Sequence, residues 1–203
     1  MALDTWLIYL LAAIGLSLSP GPNGLLALTH GALHGRNRAL FTILGGALGF
    51  MLVIALSMFG IGALLKTSAH WLTAMKWMGG VYLVWLGIQV WRAPPVGAEL
   101  QADVGPRSGA SLFRQGTLSA LTNPKAVLFF AAFLPQFLDP ARSLFTQFLV
   151  MAGTFAAIEI GTEWLIASMA HRVRHWLQRA GRRFNQACGG IFVLIGAALP
   201  LRG

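Results

Sequence analysis

A chain of 203 residues that is 56% hydrophobic and only 10% charged lacks the polar surface of a water-soluble domain, which carries about 25% charged residues. Its formal net charge of +9 would point to nucleic acid on a soluble chain, but here the basic residues lie mostly between apolar runs, where they act as topology signals and leave nucleic acid without a role. A lone cysteine, Cys188, excludes an internal disulfide and a CxxC redox pair. The composition describes an all-α, polytopic membrane protein whose surroundings are the lipid bilayer.

A membrane-crossing helix needs roughly 20 mostly apolar residues. Six spans are predicted, over residues 6–28, 40–65, 71–91, 113–138, 145–170 and 185–201. The first follows an acidic flank, Asp4, and runs longer than a signal-peptide core, so it is expected to remain in the mature chain. Inside it lies Ser19-Pro20-Gly21-Pro22-Asn23. Proline has no N–H and clashes with the carbonyl four residues earlier, so Pro20 and Pro22 should free carbonyls near residues 16–18. Gly21 tolerates unusual backbone angles. A helix restarting after Pro22 would present unpaired N–H groups and a positive dipole end.

The second span carries a glycine face, Gly45-Gly46-Ala47-Leu48-Gly49, suited to packing within the chain or between two chains as a homodimer. The third contains Lys76, about two turns from its outer end and able to snorkel. Residues 93–111 are rich in Pro and Gly and read as a flexible linker. The linker divides one transmembrane domain, residues 1–203, into a first repeat of about 1–92 and a second of about 112–203. Three spans is an odd number, so the second repeat must lie inverted relative to the first. A duplication is supported by Gly79-Gly80-Val81-Tyr82-Leu83 in span three beside Gly189-Gly190-Ile191-Phe192-Val193 in span six.

Span four holds the second break, Asn123-Pro124-Lys125, at a position matching the first. Asn before Pro is a good N-cap before a good first helical residue. Lipid cannot satisfy a broken backbone, so paired breaks in two halves point to a transport site. Each would present a helix N-terminus to an anion such as a carboxylate. Lys125 lies well inside the span, where a charge is costly. It is open to it to snorkel, to pair structurally, or to meet a substrate carboxylate or an intramembrane acid.

Span five brings Glu159 and Glu163, spaced i and i+4 on one helix face. Glu159 falls near mid-bilayer, roughly 20 Å from Arg172 at 1.5 Å per residue. Two adjacent carboxylates in low dielectric do not both ionise without a cationic partner. An acid that changes protonation suits proton coupling; it also suits a substrate ammonium or a structural pair with Lys125. The histidine pairs His30/His34 and His171/His175 have a spacing able to hold a metal but sit near the interface with no neighbouring acid or thiol, and no metal site or cofactor is expected. Metal-cation export through these histidines and the span-five acids is the other function open to such a chain, whereas hydrolysis or thiol oxidoreduction lacks the required groups.

The loops after spans one, three and five carry Arg36 and Arg38, then Arg92, Arg107 and Arg114, then five arginines between residues 172 and 183; the opposite side carries only Lys66, Arg142 and Arg202. Positive loops stay in the cytoplasm, so both termini are expected outside.

These motifs resemble the LysE/RhtB family of bacterial amino-acid exporters. The matching residues are Pro20-Gly21-Pro22-Asn23, Gly35 and Arg36, Gly45 and Gly49, Asn123-Pro124-Lys125, residues 129–133 and Pro135-Gln136-Phe137. Glu159 takes the place of an acid in the fifth span that is commonly Asp; the longer side chain and Glu163 depart from that pattern. The resemblance implies an inner-membrane secondary transporter, not an enzyme, that exports amino acids or related metabolites by proton antiport. On this basis Pro20, Gly21, Pro22, Asn23, Asn123, Pro124, Lys125 and Glu159 are expected to bind substrate, and Glu159 and Glu163 to carry the proton.

Overall fold

The computed structural model describes residues 3–19, 21–65, 69–92, 108–139 and 141–198. Pro20, Lys66, the side chain of Lys76, the linker to residue 107 and the side chains of residues 171–181 lie outside this set. Among the described residues the chain is all-helical: α1 Leu3–Leu18, α2 Pro22–His34, α3 Arg36–Leu65, α4 Ala69–Arg92, α5 Gly109–Leu121, α6 Pro124–Phe133 with a 3₁₀ turn at Leu134–Gln136, α7 Leu144–Ser168 and α8 Ala170–Ala198.

The sequence explains where these elements stop. α1 ends before the Ser19–Gly21 break, and α2 resumes with Pro22 at its first position, where proline loses no hydrogen bond. The two axes meet at 55°. α5 and α6 meet at 51° across Thr122 and Asn123. Gly35 separates α2 from α3 with φ +79°, a left-handed backbone that favours glycine. α3 and α7 are each long and apolar enough to cross a bilayer, and the bent pairs α1–α2 and α5–α6 qualify if each counts as one span.

Several boundaries differ from expectation: α2 runs on to His34, and Arg36 and Arg38, read as loop, open α3. The basic stretch read as the loop before span six is helical, and α8 runs unbroken from Ala170. Arg, Gln, Ala and Leu are good helix formers, and the run contains no proline. α5 begins at Gly109, inside the stretch read as linker, because Ser108 caps it: its Oγ accepts from the Ser111 N–H at 3.2 Å.

A large core fills much of the bundle, and Ala27, Ala39, Ile43 and Ala167 form a smaller separate cluster. Phe129, Phe130, Phe133, Phe137 and Phe155 contact one another ring to ring, with Tyr9 of α1 stacked on Phe133 and Phe192 of α8 against Phe129. The Tyr9 hydroxyl donates to the Met151 carbonyl at 2.9 Å, so its one polar atom is satisfied. The glycine face of span two is used inside the chain: a Cβ at Gly45 would strike the Phe113 carbonyl of α5, and one at Gly116 would strike the Thr42 carbonyl of α3. These contacts let α3 and α5 pack backbone to backbone.

Candidate functional site

The site is assembled by the two breaks. In an unbroken helix the Ser19 carbonyl would accept from residue 23. Here the Lys125 ammonium reaches across from the start of α6 and donates to it at 2.8 Å. The carbonyl captured from the second half of the chain is thus Ser19, beside the 16–18 stretch that proline geometry singles out. The absence of a side chain at Gly21 makes room for this bridge, since a Cβ there would stand 3.1 Å from the Lys125 Nζ.

The two helix starts differ. At α6 the Asn123 carboxamide oxygen accepts from the N–H groups of Lys125 (3.1 Å) and Ala126 (3.4 Å), so its own cap occupies donors that an anion would need. At α2 the capping residue is Gly21, which has no side chain to do this. The first turn of α2 is therefore the more open of the two to an anion.

α7 supplies the acids. Glu159 and Glu163 are 4% and 1% exposed, so neither is solvated from outside the bundle. Glu159 lies nine residues before the end of α7 at Ser168, about 14 Å along the axis, nearer that end than a count through to Arg172 suggests. Ser17, Glu163 and Lys125 surround it, and Lys125 acts on it as an opposite charge. Glu163 is held by Asn23, whose Nδ2 donates to Glu163 Oε1 at 2.8 Å. Asn23 is pressed into position by α3, where Gly46 leaves space for its carboxamide.

Gly21, Asn23, Asn123, Lys125 and Glu159 line one cavity of about 20 Å³. That space suits roughly one water and is far too small for an amino acid, so a substrate must widen it. Pro22 and Pro124 are exposed and act as helix starters rather than as lining, and Glu163 sits behind Asn23. Sequence reasoning pointed to the carbonyls of residues 16–18 and to the break at Ser19 but did not name Leu16, Ser17, Ser19, Gly24, Phe50, Ala126 or Phe155 as lining residues. Phe155 was accessible to it, being one turn before Glu159 on the same face; nothing local marks Phe50.

The histidine pair of α2 lies apart. His30 Nδ1 shares a hydrogen bond with Thr42 Oγ1 at 2.6 Å, and the His30 and His34 rings lie 5.5 Å apart. Among the described residues no third metal-ligating side chain joins them.

A half-buried cation, buried acids and an open helix start are gathered by bent helices inside an apolar bundle, an arrangement suited to a membrane transporter. The chain is 35% identical over 202 residues to a homoserine/homoserine lactone efflux protein of Salmonella typhimurium, covering 98% of this chain and 97% of the relative. It is 29% identical over 198 residues to a leucine efflux protein of Klebsiella pneumoniae, covering 96% and 93%. An uncharacterized membrane protein of Vibrio cholerae is 36% identical over 203 residues, covering 98% of each. No solved structure matches the chain. Residues 14–203 match the LysE type translocator family, and the chain belongs to it.

Proposed function

We propose that the protein exports amino acids or related small zwitterions from the bacterial cytoplasm across the inner membrane in exchange for protons. The relatives named for homoserine, homoserine lactone and leucine efflux support the substrate class. The observation that carries the mechanism is the meeting of Lys125 and Glu159 in one cavity with the uncapped start of α2. A zwitterion carries two charges of opposite sign, and Lys125 and Glu159 offer the complementary pair along one cavity. The substrate carboxylate displaces Ser19 as the partner of Lys125 and faces the first turn of α2. The ammonium approaches Glu159.

Antiport follows from competition. A carboxylate in low dielectric holds either an ammonium or a proton, so loading one expels the other. Glu163, one turn along the same face, takes part in passing the proton. Alternating access is supplied by the two halves. The order of bent pair, long helix, long helix occurs twice, in α1–α4 and α5–α8, which supports a reading as two inverted repeats. Both termini then face outward.

The test is Glu159→Gln in everted membrane vesicles. Proton-driven accumulation of labelled homoserine should fall to the level of vesicles lacking the protein. Undiminished uptake would overturn the role of Glu159.

A further inference from the structure

The cavity lining holds two kinds of residue: Lys125, Glu159, Asn23 and the serines are polar, and Leu16, Phe50 and Phe155 are apolar. We propose that Phe155, braced by Phe50, sets the upper size of the substrate side chain that the transporter accepts. The inference rests on the export function proposed above and adds the residue that selects among amino acids.

An amino acid with its ammonium at Glu159 and its carboxylate at Lys125 has its Cα between them. Its side chain then lies against the apolar lining residues, where a charged side chain would be buried without a partner. Phe155 is four residues before Glu159, so its ring rises from the same face of α7 about 6 Å along the axis. The ring is not loose. It meets Phe50 edge to face at 5.4 Å and Phe130 at 5.0 Å, and it is buried. Phe130 belongs to the central aromatic core, so moving Phe155 aside disturbs that core. Short neutral side chains fit after a modest widening, whereas an aromatic side chain requires the space the Phe155 ring occupies.

The test is counterflow in proteoliposomes containing the purified full chain, which reports exchange without depending on the coupling ion. Labelled homoserine, leucine, phenylalanine and lysine are compared. The wild type should exchange homoserine and leucine well above phenylalanine and lysine. Phe155→Ala should raise the phenylalanine-to-homoserine ratio by roughly tenfold or more, the scale of discrimination that pocket size provides. Phe155→Leu keeps more of the core filled and should shift the ratio the same way by less; it decides the matter if the alanine variant does not fold. An unchanged ratio in a folded variant, or wild-type exchange of phenylalanine as fast as homoserine, overturns the selector while leaving amino-acid export standing. Wild-type protein that exchanges none of the four overturns the export function and the selector with it.

Discussion

Lys125 has two tasks that can be separated. It ties α6 to the Ser19 carbonyl, and it supplies positive charge to the cavity. Glutamine can still donate to a carbonyl but brings no charge, and methionine does neither. If the lysine serves only as a tie, Lys125→Gln should transport normally. If its charge receives a carboxylate, both variants should raise the KM for substrate roughly tenfold to a hundredfold, the range expected for losing a hydrogen bond to a charged group. Both remove the positive charge beside Glu159, which can stay neutral by holding a proton, so both should remain folded. Concentration-dependent counterflow distinguishes the cases, and a normal KM for Lys125→Gln would reduce the lysine to a structural tie. The lysine was legible in the sequence as a charge at membrane depth. Its partner was not, because Ser19, although it opens the first break, lies 106 residues away.

At the scale of elements, the break between α5 and α6 depends on Asn123. Its carboxamide oxygen serves two backbone N–H groups, and loss of such a cap costs about 1 kcal/mol. Asn123→Ala should therefore lower the Tm in detergent by about 2–4 °C. Asn123→Asp keeps a capping oxygen and should hold the Tm, yet it adds a carboxylate to the cavity wall beside Lys125. That carboxylate would compete with the substrate, so the aspartate variant should be stable but strongly impaired in counterflow. A stable, fully active Asn123→Asp would show that no substrate carboxylate approaches this helix start. The break itself was readable because proline and asparagine act locally. Helix ends set by tertiary packing were less so: α8 absorbed a basic stretch whose charge suggested a loop although its helix propensity did not. The repeat signal also had limits. Gly79 faces the Ala132 backbone of α6, whereas Gly189 faces Gly87 of α4, so glycines that align in sequence do different packing work. The apolar lining was the least legible part of the site, because Phe50 and Phe155 look like any core aromatics until the fold brings them to the cavity.

The whole molecule raises a question of topology. α1 has 16 residues and is about 24 Å long, short of the roughly 30 Å hydrocarbon core, so it cannot cross alone. α5, with 13 residues, is shorter still. Either each bent pair crosses as one broken span, or it turns back as a re-entrant loop. The two cases put the ends of the pair on opposite sides or on the same side of the membrane. The lone cysteine makes the distinction accessible, since Cys188→Ser provides a cysteine-free background at a buried site that accepts a small residue. On that background Asp4→Cys, Arg36→Cys, Ser108→Cys and Arg142→Cys each introduce one thiol at an exposed position. If both pairs cross and the arginine-rich ends face the cytoplasm, a membrane-impermeant maleimide should label positions 4 and 142 in intact spheroplasts and positions 36 and 108 only after permeabilisation. Labelling of 4 and 36 from the same side would make α1–α2 re-entrant and end the inverted-repeat architecture. The expected pattern would set the two breaks in oppositely oriented spans, and the bridge from Lys125 to Ser19 would then join the two halves whose relative motion carries the substrate.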